Sequence, residues 1–459
     1  MSTCFDAIVI GTGQAGPSLA TRLAASGRKV AIVERKRFGG TCVNNGCMPT
    51  KALVASAYAA HLARRAADYG VVVEGDVRVD MKRAKARKDA IVAQATSNVE
   101  KWLRGTANLT VVQGHARFAS PTSVHVNGEL LEAPQIFVNV GGRASVPPIA
   151  GVRDVDYLTN STIMDVDFLP EHLIVLGGSY IGLEFAQAYR RFGSRVTVVE
   201  KMDRLIARED PDVSKGVEEI LRNEGVSIET GAECMALERR GSGVALKLDC
   251  RGNAREVTGS HLLLALGRVP NTDDLGLDKA GVVVDPRGFI TVDDELRTSV
   301  PGIWAIGDCN GRGAFTHTSY NDYEIVADNL LLGTKRSVTD RIIAYGLFID
   351  PPLGRVGMTD AEVRKSGRKA LVGMRPMTRV GRAVEKGETQ GFMKVIVDAE
   401  TQRILGAAIL GTGGDEAVHC IIDVMMAGAP YTTLRNSVHI HPTVSELIPT
   451  VLGEMKPLL

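Results

Sequence analysis

The chain has 459 residues, of which 44% are hydrophobic and 23% are charged, and its formal net charge at pH 7 is +1. This length exceeds what one hydrophobic core supports, so the sequence predicts several domains. The near-neutral charge excludes a general attraction to nucleic acid or to membrane surfaces, and no apolar run of about 18 residues predicts a membrane span.

The seven cysteines are mostly scattered, and their number is odd. This usage argues against a disulfide framework and favours a reducing compartment. The amino terminus MSTCFDAIVIG shows no charged region followed by a long apolar stretch, so no signal peptide is predicted. We therefore expect a cytoplasmic protein.

The first predicted elements form a nucleotide-binding unit. A strand is predicted over Phe5–Ile10, a helix over Gln14–Ala25 and a second strand over Lys29–Glu34. The turn GTGQAG has glycines at the spacing of the dinucleotide fingerprint: Gly11, Gly13 and Gly16. These glycines allow a tight turn and a close approach to a pyrophosphate, while Glu34 can accept ribose hydroxyls. The helix amino terminus attracts the phosphates.

A close pair of thiols follows this unit. In GGTCVNNGCMPTK, four residues separate Cys42 from Cys47. In a chain without a predicted signal peptide, such a pair is more often catalytic or metal-binding than structural. Zinc sites usually show tighter CxxC-type spacing with further ligands nearby, which disfavours the metal-binding alternative. The position directly after a dinucleotide-binding unit predicts a redox dithiol, with no resident metal. Lys51 follows Cys47 by one helical turn and shares its face.

The same plan recurs later in the chain. A strand is predicted over Leu173–Leu176, then GGSYIG, a helix to Phe192 and a strand over Arg195–Glu200. The separation from Gly177 to Glu200 equals that from Gly11 to Glu34, which indicates an internal duplication. Ser179 replaces the middle glycine. Glu200 favours NADH over NADPH, but only slightly, because nearby cations could accept a 2′-phosphate: Lys201, Arg204 and Arg208.

Two such units with CxxxxC after the first resemble the flavoprotein disulfide reductases, which include dihydrolipoamide dehydrogenase, glutathione reductase and mercuric reductase. Three further segments resemble the family's motifs in the family's order: ALGRVPNTDDLGL (265–277), AIGDCNGRGAFTH (305–317) and HIHPTVSE (439–446). The segments AFTHTSYNDYEI and DPPLGRVGM look closest to mercuric-reductase-like and related bacterial metal- or stress-linked reductases, whereas the HxHPTxSE signature also matches dihydrolipoamide-dehydrogenase-like members.

The resemblance implies an α/β fold with two Rossmann-like dinucleotide-binding domains, for FAD and NAD(P), and an α+β dimerisation domain at the carboxyl end. The expected segments are FAD domain 1–150, NAD(P) domain 151–271, FAD domain again 272–338, and dimerisation domain 339–459. The stretches GFMKVIVDAE and ILGAAILG have the β pattern expected of the last domain. The family also implies a homodimer in which His441 serves the partner subunit's disulfide.

The expected catalytic order runs from NAD(P)H through the flavin to Cys47, and then to Cys42 as the attacking thiol. His441 can supply the proton near neutral pH, with Glu446 orienting its ring. Lys51 is expected near the flavin, with Glu184 as its carboxylate partner. The predicted catalytic residues are Cys42, Cys47, Lys51, Glu184, His441 and Glu446.

The expected cofactor contacts fall into two sets. The FAD set is Gly11, Gly13, Gly16, Glu34, Gly40, Thr41, Lys51, Ala116, Gly142, Asp308, Ala314, Phe315 and Thr316. The NAD(P) set is Gly177, Ser179, Tyr180, Ile181, Gly182, Glu200 and Gly267, where Tyr180 resembles the family's aromatic gate over the nicotinamide.

The expected substrate is a small disulfide or a metal–thiol complex. Efficient Hg(II) reduction is not expected, because the sequence shows neither a cysteine after Cys420 nor an amino-terminal CxxC domain. Weak Hg(II) reduction by Cys42 and Cys47 is kept as an alternative. A second alternative is the dihydrolipoamide dehydrogenase subunit of a 2-oxo-acid dehydrogenase complex, and a third is a non-catalytic flavoprotein. A metal site is a further alternative reading for His419, Cys420, His439 and His441.

Overall fold

The computed structural model of the chain describes residues 2–250 and 253–458. The chain divides into two compact units, each assembled from three separate segments. The first unit runs to Ala52 and adds Arg83–Val146 and Leu266–Arg341. The second contains Leu53–Lys82, Pro147–Ala265 and the residues from Ile342 on. The domain boundaries at residues 150, 271 and 338 remain a prediction.

A five-stranded parallel sheet organises the first unit. Its strands are, from edge to edge, Ile303–Ala305, Gln135–Val138, Ala7–Ile10, Val30–Glu34 and Leu109–Gln113. The strand that comes first in the chain lies between the second and the fourth, which is the order of a doubly wound sheet. Its residues, Ala7–Ile10, are all buried, as expected for a strand covered on both faces.

The helix Ala15–Ala25 follows the first strand and buries Leu19 and Leu23 against the sheet core. The other helices that lie wholly or partly in this unit are Gly40–Asn44, Cys47–Arg64, Met81–Arg104, Leu277–Ala280 and Thr316–Leu332. Two smaller sheets complete the unit. The first contains Ser2–Cys4, Glu129–Glu132, Ser123–Val126 and Arg117–Ser120, and the second pairs Gly142–Ala144 with Arg268–Pro270.

The second unit repeats the parallel sheet. Its order is Ser227–Glu229, Arg195–Val199, His172–Leu176 and His261–Leu264, and again the first strand lies between the second and the fourth. The helices Tyr180–Phe192 and Pro211–Asn223 connect its strands. The shared strand order supports the internal duplication predicted from the fingerprints. A three-stranded antiparallel sheet joins this fold: Ala232–Arg240, Gly243–Cys250 and Asn253–Gly259.

A six-stranded antiparallel sheet forms the carboxyl-terminal part of the second unit. Its order is Ala344–Leu347, Leu353–Gly357, Ile404–Leu410, Phe392–Asp398, Ala370–Pro376 and Lys456–Pro457. The helices around it are Asp360–Lys365, Gly381–Glu385, Gly414–Ala417, His419–Met426, Tyr431–Arg435 and Ile448–Gly453. The β pattern predicted for GFMKVIVDAE and ILGAAILG is confirmed by its two central strands, and the predicted α/β fold class is confirmed as a whole.

A buried ion cluster lies within the second unit. Lys394, which is 1% exposed, places Nζ 2.9 Å from Asp210 Oδ2, 2.9 Å from Asp212 Oδ1 and 3.1 Å from Asp360 Oδ2. Burial alone would lower the pKa of Lys394, but its hydrogen bonds to Asp212 and Asp210 raise it. Asp210 also accepts a 2.8 Å hydrogen bond from buried Arg355. Each buried charge therefore has a partner, which is the condition for tolerating it.

Replacing Lys394 with methionine tests how strongly this cluster stabilises the fold. Lys394→Met keeps most of the side-chain volume but leaves buried carboxylates uncompensated, so we expect a loss of about 3 kcal/mol or more. The readout is the midpoint of thermal unfolding of the FAD-loaded protein.

Lys369→Met is the matched control. The Lys369 side chain is 82% exposed, and its Nζ is 3.9 Å from Glu400 Oε1. A surface pair of this kind contributes about 0–1 kcal/mol, so this midpoint should barely move. Equal midpoints for the two variants would contradict a stabilising role for the cluster.

Candidate functional site

The two glycine turns have the same backbone packing. A Cβ atom on Gly11 would lie 2.3 Å from Asn139 O, and one on Gly177 would lie 2.4 Å from Ala265 O. Both glycines have positive φ angles, +105° and +115°, which disfavour other residues. In each unit the glycine follows the first strand and touches the end of the fourth, which is the edge where doubly wound sheets bind ligands.

Glu34, at the end of the second strand, stabilises the first glycine turn through hydrogen bonds. Its Oε2 accepts hydrogen bonds from Thr12 N at 3.0 Å and Thr12 Oγ1 at 2.5 Å, and its Oε1 accepts one from Lys36 N at 2.7 Å. The buried carboxylate thus joins the glycine turn to the residue two places after the strand. We call this arrangement the carboxylate clamp.

Glu200 forms the equivalent clamp in the second unit. Its Oε2 accepts from Gly178 N at 2.6 Å, and its Oε1 accepts from Met202 N at 2.8 Å. Ser179, the departure from the fingerprint, has φ −109° and ψ −177°. This is extended backbone that any residue adopts, so serine is accommodated there without strain.

The residues around the first turn fit the pyrophosphate of FAD. Asn139 Nδ2 is a buried donor without a hydrogen-bond partner in the described part of the chain, and it would lie 3.3 Å from a Cβ on Gly13. A Cβ on Gly40 would lie 2.8 Å from Gly13 Cα, so two helix-terminal loops approach each other by backbone. An orphaned donor beside two bare backbone turns is the environment that a phosphate group satisfies.

Cys42 and Cys47 are joined by a hydrogen bond in the first unit. Cys42 lies on the short helix Gly40–Asn44, and Cys47 opens the helix Cys47–Arg64. Cys47 Sγ is also 3.2 Å from Thr316 Oγ1, at the start of the helix Thr316–Leu332. No disulfide bond joins the two sulfurs in this structure.

The neighbours of Cys42 act on its pKa in opposite directions. The hydrogen bond with Cys47 raises the pKa of the Cys42 thiol most, and burial adds to this effect. The Thr316 hydroxyl and the charge of Lys51 lower it. The net effect is a raised pKa, so Cys42 holds its proton. A thiol in this state needs a base before it can act as a nucleophile.

Asp308 lies on the short turn Gly307–Asn310 of the first unit and is partly buried. Burial raises its pKa, and the charge of Arg268, whose Nε is 3.7 Å from Asp308 Oδ2, opposes the rise. The other predicted FAD residues take varied positions. Ala116 is in the core, Thr41 is on the helix of Cys42, Gly142 is on a strand, Ala314 is exposed and Phe315 caps the helix of Thr316.

The remaining predicted residues are distributed between the units. Tyr180 and Ile181 open the helix after the second turn, and Gly182 would place a Cβ 2.1 Å from Gly177 O. Glu184 accepts a 3.1 Å hydrogen bond from Phe348 N in the second unit. Gly267 belongs to the first unit, where its carbonyl accepts from Ser145 N at 3.0 Å. The predicted pairing of Lys51 with Glu184 stays a prediction.

His441 and Glu446 lie together in the second unit. His441 Nδ1 is 2.9 Å from Glu446 Oε2 and 3.1 Å from Oε1. Glu446 is mostly buried, whereas the His441 side chain is 80% exposed. A carboxylate at Nδ1 fixes the tautomer with its proton there, which leaves Nε2 as the basic nitrogen.

Sequence reasoning missed Thr12, Asn139 and Glu209. Thr12 and Asn139 could have been predicted as site residues, because both follow strands at the ligand-binding edge of the sheet. Glu209 could not, because its partners Tyr180 and Tyr345 are distant in sequence.

The described residues contain one group of three carboxylates at metal-like spacing, Asp210, Asp212 and Asp360. The Lys394 ammonium lies among them and supplies the positive charge there. None of the helices in the described part of the chain is long and apolar enough to cross a membrane.

Comparison with protein families now identifies the class. The family model "Pyridine nucleotide-disulphide oxidoreductase" matches residues 5–322, and the dimerisation-domain model of the same family matches residues 343–452. The chain belongs to this family. It is an FAD-dependent NAD(P)H:disulfide oxidoreductase, and its dimerisation domain indicates a homodimer. The predicted family, activity class and cofactors are confirmed, while the choice between NADH and NADPH is not resolved.

Three curated relatives are similar over nearly the whole chain. The probable pyridine nucleotide-disulfide oxidoreductase RclA of Escherichia coli K12 is 37% identical, covering 98% of this chain and 99% of its own. A mercuric reductase of Streptomyces lividans is 34% identical, with 97% and 95% covered. A dihydrolipoyl dehydrogenase of Thermus scotoductus is also 34% identical, with 96% and 95% covered.

Solved structures show the same likeness. The HOCl-induced flavoprotein disulfide reductase RclA from E. coli matches with a TM-score of 0.89 and 36% identity, over 98% of this chain and 99% of that chain. A structure of its Cu(II) complex matches with a TM-score of 0.89 and 35% identity over the same shares.

The opposing effects on Cys42 give a prediction about thiol reactivity in the reduced protein. Cys47→Ser removes the main cause that raises the pKa of Cys42, so its alkylation by iodoacetamide should begin at lower pH. Thr316→Val removes a group that lowers this pKa, so alkylation should begin at higher pH. Mass spectrometry of the labelled peptide gives the pH profile, with exposed Cys4 as internal reference. Shifts in the same direction would contradict the assignment.

Proposed function

We propose that this enzyme passes electrons from NAD(P)H through a Cys42–Cys47 disulfide to a small disulfide or a metal–thiol complex. The observation that carries the proposal is the hydrogen-bonded thiol pair, with Cys42 on the helix that begins at Gly40 and Cys47 beside Thr316. The helix of Cys42 begins at the turn that approaches Gly13, which brings the dithiol close to the loop proposed to bind FAD.

Bound FAD supplies two-electron chemistry, taking a hydride from a nicotinamide and returning an electron pair to a disulfide. The first clamp, with Glu34, holds the loop for FAD, and the second, with Glu200, holds the loop for NAD(P)H. Lys51 supplies positive charge to the thiol pair, which favours thiolate. Asp308 is assigned to the FAD ribityl chain on the family motif.

Cys47 is the sulfur proposed to take the electron pair, and Cys42 leaves as the exchange thiol. Cys42 then attacks a substrate disulfide, forms a mixed disulfide and releases one thiol. Attack by Cys47 releases the second thiol and restores the Cys42–Cys47 bond. One NAD(P)H, one proton and one substrate disulfide thus give NAD(P)⁺ and two thiols.

Cys42 holds its proton, so its attack requires a base, and the His441–Glu446 pair is the proposed base. The 80% exposed His441 side chain is available to a second copy of the chain. We assign His441 to the partner subunit's dithiol, in keeping with the family's dimerisation domain. Its Nε2 takes the proton from the exchange thiol and returns it to the thiol that departs.

Cu(II) bound by thiols is the metal substrate that we favour. Two thiols offer soft ligands that suit copper, and the similar E. coli RclA has been solved as a Cu(II) complex. The balance is simple: two Cu(II) ions take one electron each, while Cys42 and Cys47 lose two protons and form their disulfide. Hg(II) reduction and dihydrolipoamide oxidation are the competing activities, since similar chains carry the names mercuric reductase and dihydrolipoyl dehydrogenase.

We favour NADH as the electron donor, by a small margin. The Glu200 carboxylate already bonds two backbone N–H groups, and its charge repels a 2′-phosphate while accepting a 2′-hydroxyl. Arg204 and the exposed Lys201 and Arg208 lie on the following loop and reduce the margin. A cytoplasmic location remains a prediction from the cysteine usage.

A steady-state screen tests the substrate proposal. NADH and NADPH are each tested with lipoamide, glutathione disulfide, cystine, Cu(II)–thiol and Hg(II)–thiol complexes under anaerobic conditions. We expect turnover with a small disulfide or with Cu(II), and a higher kcat/KM with NADH. Cys42→Ser should abolish disulfide turnover, and Cys4→Ser, at an exposed cysteine on the strand Ser2–Cys4, is the control. Efficient NAD⁺ reduction by dihydrolipoamide, with all other acceptors inactive, would favour the dehydrogenase alternative instead.

A further inference from the structure

A buried glutamate holds the tyrosine next to the second glycine turn. Glu209, which is 2% exposed, accepts a hydrogen bond on Oε1 from the Tyr180 hydroxyl at 2.9 Å. The same oxygen accepts a second bond from the Tyr345 hydroxyl at 2.7 Å. The two rings meet edge to face, with centroids 5.6 Å apart and planes at 87°. One carboxylate oxygen therefore joins two tyrosines from different parts of the second unit.

The position of Tyr180 places it at the nucleotide loop. It is the first residue of the helix whose amino terminus follows Gly177 and Ser179, where the phosphates of a dinucleotide bind. The segment that carries Glu209 is tied to the same loop, since Ile206 N donates to Gly178 O at 2.8 Å. The position of the Tyr180 ring is thus set by residues that also shape the binding loop.

The second carboxylate oxygen of Glu209 is also buried. This oxygen, Oε2, has no hydrogen-bond partner in the described part of the chain, and the nearest cation is Arg355, with Nη1 3.8 Å away. Arg355 is itself held by Asp210 at 2.8 Å and belongs to the six-stranded sheet. Because the Glu209 side chain is buried, its charge is stabilised by the two tyrosine hydroxyls and, at longer range, by Arg355.

We propose that Glu209 is a positioning residue that holds the Tyr180 ring beside the second glycine turn in the nucleotide-free protein, so that binding of a nicotinamide nucleotide has to move the ring and break this bond. The Tyr345 hydroxyl then remains as the second donor to Glu209 and lowers the free energy needed to move the ring. The proposal rests on the proposed function, in which this turn binds NAD(P)H. Burial and the charge of Glu209 raise the pKa of both tyrosines, so both hydroxyls remain donors.

The shared oxygen gives the two hydroxyls opposite effects. When the Tyr180 ring moves to admit a nucleotide, Glu209 loses one donor and retains Tyr345. Without the Tyr180 hydroxyl, this movement costs less, and the nucleotide should bind more tightly. Without the Tyr345 hydroxyl, movement of Tyr180 leaves a buried charge with no donor, and the nucleotide should bind more weakly.

The test measures the Kd of NAD⁺ for the oxidised, FAD-loaded protein by isothermal titration calorimetry, so that no turnover takes place. Tyr180→Phe should lower the Kd about fivefold, and Tyr345→Phe should raise it about fivefold. In the double variant the effect of Tyr345→Phe should disappear, because no Tyr180 bond remains to be broken. Glu209→Gln keeps an acceptor without the charge and should lower the Kd.

Tyr189→Phe is the matched control. Tyr189 lies on the same helix as Tyr180, but its buried hydroxyl donates a 3.4 Å hydrogen bond to Ile163 O and not to Glu209. The Kd of NAD⁺ for this variant should therefore equal that of the unaltered protein. If these groups had a merely structural role, Tyr180→Phe and Tyr345→Phe would shift the Kd in the same direction, or their effects on the Kd would add in the double variant. Either result overturns the proposal.

Failure of the proposed function has a separate signature. If the unaltered protein neither binds NAD⁺ or NADP⁺ nor shows flavin bleaching with NADH or NADPH, both proposals are refuted. If it does bind and bleach, but the two tyrosine variants do not move the Kd in opposite directions, the positioning role alone is refuted.

Discussion

The carboxylate clamp is the interaction on which both proposed nucleotide sites depend. The backbone of a glycine-rich turn is flexible, so hydrogen bonds from outside the turn are needed to fix its shape. The glutamate at the end of the second strand accepts those hydrogen bonds. Glu34 holds the turn through Thr12, and Glu200 holds the equivalent turn through Gly178. Because the clamp uses backbone N–H donors beside a parallel sheet, the chain could repeat it with different neighbouring residues, as Ser179 illustrates.

The position of the dithiol follows from the first clamp. The clamped turn approaches the helix that starts at Gly40 and carries Cys42, and Thr316 contacts the sulfur of Cys47. The raised pKa of Cys42 has a consequence for the proposed mechanism, since Cys42 keeps its proton until a base removes it. In the proposed mechanism the exposed His441 is the base for the partner subunit's dithiol, and this assignment would couple activity to dimer formation.

Local sequence signals predicted much of this architecture. Runs such as AIVI and HLIVL mark strands buried on both faces, and the fingerprint spacing located both turns within a residue or two. The dithiol was predictable because its residues are close in sequence. The ion cluster around Lys394 and the contact between Glu209 and Tyr345 were not, because tertiary packing alone brings these residues together. Sequence also left the substrate open, since thiol exchange places few demands on neighbouring residues.

The most direct test of the electron path is an anaerobic titration of the pure protein with NADH, followed by absorbance. With the unaltered protein, the first equivalent should give a long-wavelength band from the Cys47 thiolate beside oxidised flavin, and a second equivalent should bleach the flavin. In Cys42→Ser and Cys47→Ser, one equivalent should suffice to bleach it, because the disulfide no longer accepts electrons. Bleaching of the unaltered protein by a single equivalent, without the band, would contradict a redox role for Cys42 and Cys47.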